Sequence, residues 1–510
     1  MAVGATTSQN RGGFSKLHGV RDEEIRARLG QVNPWWRAAA ARSDPLAWIV
    51  DDRTLRDRAQ HDLGYRADAL ADVGTVPPDD RLILLRGPRR VGKSVVLKDT
   101  VAALCKRPDI DPRQVIYLPA DGMTGRDLTR AIALGRDLTR SVDRTSGPAK
   151  RVWLLDEVTG IEGWTSTLKY QRDNTPFGDD TVVCTGSSWS DTGEIERDLL
   201  AGRAGTATSR RLRLLHAMRF RDVLKLTRPS VPRPDPVAVW DLQGDAARAA
   251  ASDLELFVDE LDLAWQAYLT SGGFPRAVAE HTRSGFVGSA FLNDLEAWLH
   301  RDVDRDGPID SIPRLLAELH ARSAAPLNRT ATAATLNYAS RQSFDLRLNR
   351  LVRNFAALWC HQVSDTGDRV SGAQSKLYLT DPLLSWLGHH LRAGTPVPDM
   401  TTLTESALAI HLAIAIDDQQ PGRWVNGDTI GYVRTGKGNE IDFGPVAVPT
   451  AGGTSYTTPL EAKWVTRGWR SEALVVENRL RRGILATKNV TDFRHTAWAI
   501  PAPTLALLLG

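Results

Sequence analysis

Gly87-Pro88-Arg89-Arg90-Val91-Gly92-Lys93-Ser94 fits the pattern GxxxxGK[ST], whose chemistry is the grip on a polyphosphate. Glycines such as Gly87 and Gly92 let backbone N–H groups turn inward around phosphate oxygens, and a following helix start adds partial positive charge. In that scheme Lys93 sets a compact cation against the β- and γ-phosphates, and the Ser94 hydroxyl ligates Mg²⁺. Arg151-Val152-Trp153-Leu154-Leu155-Asp156-Glu157 supplies the expected partner. An apolar strand ending in Asp156 holds the metal shell, and Glu157 polarises an attacking water, which favours hydrolysis over binding alone. Thr185-Gly186-Ser187-Ser188 follows another apolar run. It either offers hydroxyls near the γ-phosphate, Ser187 foremost, or is a polar turn.

A second set of groups lies near the other end. Glu440-Ile441-Asp442-Phe443 is followed, after a loop, by Leu460-Glu461-Ala462-Lys463-Trp464. On adjacent strands Asp442 and Glu461 converge on one divalent ion, with Lys463 on the face of Glu461 because strand side chains alternate. Two carboxylates hold Mg²⁺ through oxygen, waters complete the octahedron, and the lysine orients or deprotonates the attacking water at a scissile phosphate. The competing reading is an inherited fold in which these carboxylates only form salt bridges.

The elements needed to position these groups are legible as pattern. Short apolar runs at 81–86, 114–120, 151–156 and 181–185 alternate with polar helical stretches, which predicts βαβ units and a parallel sheet. Pro77-Pro78 marks the boundary before them, and residues 1–75 read as helical. Within that segment Asn33-Pro34-Trp35-Trp36 reads as an aromatic plug on a neighbouring domain, with a base-stacking surface as the alternative. Gly-Arg-Asp-Leu-Thr-Arg at 125–130 recurs at 135–140, a local duplication and not a solenoid. Prolines 229, 232, 234 and 236 mark a stiff linker. Helical patterns run over 253–354, and strand signals return at 358–363 and 376–380. The last hundred residues read as a second α/β unit: helix 405–416, strands 428–434, 440–448 and 459–465, helix 471–485, strand 496–501.

GPRRVGKS, LLDEVTGIEGW, TGSS and Leu200-Ala201-Gly202-Arg203 resemble the bacterial and archaeal AAA+-type ATPases with a restriction-endonuclease-like C-terminal domain. Asn33-Pro34-Trp35-Trp36, Tyr268-Leu269-Thr270-Ser271-Gly272-Gly273-Phe274-Pro275 and Lys376-Leu377-Tyr378-Leu379-Thr380-Asp381 extend the match, in family order, over most of the chain from about residue 33. The resemblance implies an α/β fold: a P-loop NTPase (AAA+-like) parallel sheet with helices, a helical and winged-helix region, and a C-terminal α/β PD-(D/E)XK nuclease-like domain. The division it implies is an N-terminal helical region at 1–75, the ATPase at 76–227, linker and helical lid at 228–310, a winged-helix-like module at 311–395 and the endonuclease-like domain at 396–510. It implies ATP and Mg²⁺ as cofactors, and an arginine from an adjacent subunit at the ATPase site. Arg203 is the candidate for that role and Arg276 for an arginine read from the lid, since guanidinium is always charged and contacts two phosphate oxygens. Either arginine alone reads equally well as the partner of a surface carboxylate. The order of Asp442, Glu461 and Lys463 matches the PD-(D/E)XK core, and Glu405 on the preceding helix matches a further acid of that family. One departure stands out: the family tends to have Pro-Leu-Ser-Phe where this chain has His216-Ala217-Met218-Arg219-Phe220.

Bulk properties bound the partners. The 65 Lys+Arg against 61 Asp+Glu leave a net charge of +4, which permits a nucleic-acid partner without requiring one. Eight basic residues between 209 and 233, and Arg347, Arg350 and Arg353 at every third position, are candidate nucleic-acid surfaces, with solvated helix faces as the bland alternative. Three scattered cysteines, Cys105, Cys184 and Cys360, argue against a disulfide framework and for the cytoplasm. No apolar run reaches the ~20 residues of a bilayer span, so no membrane partner is expected. The leading expectation is a Mg²⁺-dependent ATPase whose cycle drives or gates a nucleic-acid-directed (DNA ahead of RNA), nuclease-like C-terminal domain, with a homo-oligomer left open. The alternative is a nucleotide-dependent switch or assembly protein with an inert C-terminal binding domain.

Overall fold

Strands β1 (Leu82–Arg86), β2 (Val115–Pro119), β3 (Val152–Asp156), β4 (Thr181–Gly186) and β5 (Leu212–Leu214) form one sheet in the order β2-β3-β4-β1-β5. The computed structural model describes residues 21–143, 148–187, 199, 211–434 and 440–510. Every pairing in this sheet is parallel. Parallel sheets are covered on both faces, which is why β1, β3 and β4 read as unbroken apolar runs and are buried throughout. Four of the strands lie where the alternation predicts them. β5 is an addition, hidden in the arginine-rich stretch that the charge pattern marks as a surface.

The helical N-terminal segment closes the outer edge of β2. Trp35 and Trp36 are buried, and both indole N–H groups donate to the Val115 carbonyl, at 2.9 and 2.8 Å. The Asn33 amide donates to the Tyr117 carbonyl at 2.9 Å and accepts from its N–H at 2.7 Å. An edge strand left open invites pairing with other chains, and these side chains satisfy its free groups. The tryptophans are a plug and offer no face to a base.

Five of the eleven basic residues expected on a surface bind other elements of the fold, while Lys225, Arg228 and Arg353 are exposed. Arg213 donates to the Ala69 carbonyl and pairs with Asp72, and Arg219 reaches Asp418 at 3.0 Å. Arg221 donates to the carbonyls of Pro234 and Leu507. Arg347 pairs with Asp304 at 2.8 Å, and Arg350 donates to the Val303 carbonyl at 3.0 Å. The local excess of positive charge therefore joins elements together.

Residues 311–391 hold the helices Ser311–Arg322, Arg329–Thr335 and Arg341–Arg353, an antiparallel pair β6 (Ala357–Gln362) and β7 (Lys376–Leu379), and the helix Pro382–Leu391. β6 also pairs in parallel with β8 (Gly431–Arg434), which pairs with β9 (Glu440–Ile441), so one four-stranded sheet runs across the division expected at 395. A parallel sheet of β12 (Leu460–Ala462), β13 (Gly483–Thr487) and β14 (Ala497–Pro501) follows it, linked through the Phe443–Leu460 bridge. A hairpin, β10 (Ala447–Thr450) and β11 (Gly453–Tyr456), lies between them.

The helix expected over 471–485 is Trp469–Leu480. It stops at Arg481, whose φ of 65° breaks the helical backbone, and Gly483 opens a strand. The apolar C-terminus forms a last helix, Ala502–Leu509, buried along its whole length. The proline-rich stretch packs against it: the Val237 N–H donates to Leu508 at 2.8 Å. Among the described residues no helix is long and apolar enough to cross a membrane.

Candidate functional site

The loop 87–92 leaves the carboxyl end of β1 and runs into the helix Lys93–Cys105, the crevice where parallel α/β sheets take ligands. Gly87 has a φ of +148°, and a β-carbon there would lie 2.0 Å from the Leu215 carbonyl oxygen. Gly92 has a φ of +100°, so both positions need glycine. Arg90 takes the left-handed region too, at φ 70°, a strain typical of ligand-gripping turns. The Lys93 ammonium is buried and donates to the Gly87 and Pro88 carbonyls, each at 2.9 Å. Burial pulls its pKa down to about 8, while the charges of Glu157 and Asp156 oppose that fall. An incoming polyphosphate supplies the negative charge that this lysine is short of.

Asp156 ends β3 and is held on both oxygens: the Thr185 hydroxyl donates to one at 2.6 Å and the Tyr117 hydroxyl to the other at 2.9 Å. Glu157 adopts a left-handed φ of 57°, which turns its side chain away from the strand direction. Its N–H donates to Thr185 Oγ1 at 3.0 Å, and its carboxylate accepts from the Ser187 hydroxyl at 3.1 Å and N–H at 3.3 Å. Ser187 thus meets Glu157 directly, so the two side chains form one unit.

Tyr117, on β2, was not legible as a site residue, because an apolar strand hides which hydroxyl reaches across the sheet. Lys98 sits over its ring at 4.0 Å and pairs with Asp52 at 2.9 Å, tying the N-terminal segment to the acid pair. Tyr117→Phe is expected to lower ATP turnover about 3–10-fold with little change in ATP affinity, since one neutral hydrogen bond is worth ~1 kcal/mol. Steady-state kinetics check this; an unchanged kcat removes the hydroxyl from any part in positioning Asp156.

A cavity of about 790 Å³ brings together Arg89 to Ser94, Glu157 and Arg276. Arg276 reaches it from the helix Pro275–Ser284, braced by Glu280 at 2.7 Å and lying over the Phe291 ring at 5.4 Å. Arg203 lies outside the described residues. The two loop arginines turn to the helix Ser289–Val303: Arg89 pairs with Asp302 at 2.9 Å and Arg90 with Asp294 at 3.3 Å. These aspartates carry no motif and escaped the sequence reading. Asp302→Asn is expected to tighten ATP binding about 3–10-fold by freeing Arg89 and removing a negative charge beside the loop. Calorimetric titration tests it, and weaker binding would contradict it.

Residues 79–223 match the family model described as an AAA domain (AAA_14). This segment is an AAA-type P-loop domain. Residues 262–391 match a second model, described as a domain of unknown function (DUF8612). No curated protein matches the chain. Among solved structures, the Walker-type ATPase of Pyrococcus abyssi is similar at 15% identity, over 60% of this chain and 91% of that one, with a TM-score of 0.36. A RuvB variant of Thermotoga maritima is similar at 13% identity, over 55% and 82%, with a TM-score of 0.27. The ORC2 protein of Aeropyrum pernix is similar at 14% identity, over 61% and 87%, with a TM-score of 0.28. The family assignment rests on this segment, 79–223. Beyond it, Gly272 and Gly273 pack where a β-carbon would meet Asp381 at 1.9 Å and the Met218 carbonyl at 2.1 Å. The Met218 N–H donates to Gly273, and Gly273 in turn donates to Asp381, so the AAA domain is joined through one glycine pair to the segment after β7.

The C-terminal acids converge as well. Asp442 accepts from the Ala462 N–H at 3.1 Å, its own N–H donates to Glu461 at 3.0 Å, and Lys463 pairs with Glu461 at 3.0 Å. Glu405 points into the same cluster from the helix Met400–Gln419. The residue the site reading missed is Lys376, fully buried, 2.9 Å from Asp442 and 3.2 Å from Glu405. The signal was present in Lys376-Leu377-Tyr378, where alternate strand residues share a face; the Tyr378 hydroxyl also donates to Glu405, at 2.6 Å. Burial, then the charge of Asp442, pushes Glu405 up to about 7 and Glu461 up to about 8. Burial works against the Lys376 ammonium, but Asp442 and Glu405 hold its pKa above the usual lysine value. Among the described residues no group of three or more His, Cys, Asp or Glu side chains is arranged to hold a metal ion.

Proposed function

We propose that this protein binds and hydrolyses ATP at the cavity between the AAA domain and the helices that follow it, and that the cycle biases the C-terminal region. The observation that carries the reading is Glu157, clasped by Ser187 and lining the same cavity as Lys93, Ser94 and Arg276. In this reading Lys93 and the loop amides bind the β- and γ-phosphates, Glu157 takes a proton from the attacking water, and Ser187 keeps it aimed. Ser94 and Asp156 supply the hard oxygen donors that suit Mg²⁺, which when bound neutralises charge on the phosphate oxygens. Arg276 contributes a guanidinium from the lid side, and a homo-oligomer in which Arg203 completes an adjacent site belongs to the same proposal. So does the division into an ATPase unit at 76–227, a lid at 228–310, and a winged-helix-like module at 311–395 and a nuclease-like unit at 396–510 that share the sheet β7-β6-β8-β9.

Two outputs compete for the C-terminal region: a nucleic-acid-directed, nuclease-like domain, or an inert binding fold worked as a switch. The buried Lys376 beside Asp442 and Glu405 favours the switch. The test is ATP turnover by the purified protein with Mg²⁺, with and without DNA or RNA, alongside particle size in ATP. Turnover that nucleic acid stimulates supports a nucleic-acid-directed output. Turnover unchanged by it, with a larger particle in ATP, supports the assembly switch, and no turnover at all overturns the ATPase reading.

A further inference from the structure

The C-terminal cluster does not fit a divalent ion as its donors stand. Lys376 Nζ is 2.9 Å from Asp442 Oδ1, 3.2 Å from Glu405 Oε1 and 3.5 Å from Glu440 Oε2, so three carboxylates close on one nitrogen. Several of the other oxygens nearby are committed too. Asp442 Oδ2 accepts the Ala462 N–H, Glu461 Oε2 accepts the Asp442 N–H, and Glu461 Oε1 faces Lys463. Glu405 Oε1 also takes the Tyr378 hydroxyl. Mg²⁺ requires oxygens at ~2.0–2.1 Å in near-octahedral array and usually keeps several waters. To enter here it would have to expel an ammonium that has no exposed surface.

That ammonium has nowhere to go. Lys376 begins β7, paired to β6 along its backbone, and its Nζ lies 5.6 Å from the Tyr432 ring centre. Unless a metal replaced it, moving it would leave Asp442 and Glu405 as buried, unpaired charges, which is far more costly than keeping the pair. Lys463, the residue that would activate water in a nuclease, is the partner of Glu461.

We propose that Lys376 is a built-in cation in the seat a catalytic metal would need, making this cluster a metal-independent ionic core that cuts no phosphodiester bond. The inference does not rest on nucleotide hydrolysis, since none of these residues lines the nucleotide cavity. It carries a positive consequence: deleting the ammonium while keeping the acids creates a divalent-cation site where the natural chain has none.

The test uses the full-length protein without nucleotide, and Mn²⁺ as the probe. Millimolar Mn²⁺ should leave the wild-type melting temperature as it is in chelator, and Asp442→Asn should respond to Mn²⁺ like wild type. Lys376→Met should melt lower by about 5–10 °C, and Mn²⁺ should restore most of that loss. Plasmid DNA should stay intact with wild type across Mg²⁺ and Mn²⁺. The proposal is overturned by wild-type stabilisation or nicking that Asp442→Asn abolishes, or by a folded Lys376→Met that ignores Mn²⁺. If Lys376→Met does not fold, the wild-type and Asp442→Asn arms decide alone. A loss of ATPase activity in any arm would bear on the nucleotide site and leave this result untouched.

Discussion

Lys93→Ala is expected to weaken ATP binding about 100-fold, or ~2.7 kcal/mol, and to reduce turnover below detection. Two features set the size of the effect. The ammonium is the buried cation at the start of the loop helix, and its only described hydrogen-bond partners are the carbonyls of Gly87 and Pro88. A triphosphate replaces those neutral acceptors with charged ones, and a charge-assisted bond is roughly twice as strong. Since burial already works against this charge, alanine should fold at least as well as lysine, and a thermal melt separates lost binding from lost structure. Isothermal titration with ATP and Mg²⁺ gives the answer: heat of binding equal to wild type would remove the loop from nucleotide recognition.

Glu157→Gln separates binding from chemistry. Glutamine keeps the shape and an oxygen that accepts from the Ser187 hydroxyl and N–H, so the turn after β3 is retained. It cannot accept a proton from water. ATP affinity should change less than about 3-fold while kcat falls about 10²–10³-fold, the range of a general base. Single-turnover measurements isolate the chemical step. Equal rates in variant and wild type would hand the proton to another group. The adjacent aspartate cannot easily take the role, because both its oxygens already accept hydroxyl donors from Thr185 and Tyr117.

These two variants draw on residues that the sequence marks plainly. A phosphate grip is local: eight consecutive residues, a preceding apolar strand and a following helix contain nearly all of its physics. Strand positions β1 to β4 were legible for the same reason, since burial on both faces enforces an unbroken apolar run. Arg276 was placed by resemblance and Ser187 by the hydroxyl-bearing turn after an apolar run; the tertiary structure sets Arg276 at the cavity and Ser187 against Glu157. Tyr117, Asp294 and Asp302 carry no local signature. Each acts over a distance that only folding closes; Tyr117 and Asp156 are 39 positions apart in the chain, and Arg89 and Asp302 are 213 apart.

The arginines show where charge counting misleads. Between 209 and 233 they read as a basic surface, but Arg213, Arg219 and Arg221 meet Asp72, Asp418 and the Leu507 carbonyl inside the molecule. Composition records how many charges a segment has and not which of them find partners.

The amino-acid order alone determined the AAA-type loop, its acid pair and the parallel strands that carry them, because each depends on neighbours a few residues away. It also announced that Asp442, Glu461 and Lys463 belong together. Only the tertiary structure decided what sits among them: β7 comes from a region far upstream in the chain, and the buried ammonium of Lys376 takes up the charge that a metal would otherwise balance. Electrostatic compensation between distant segments leaves no periodic trace in a sequence, since it depends on distance in space, and spacing along the chain does not encode it.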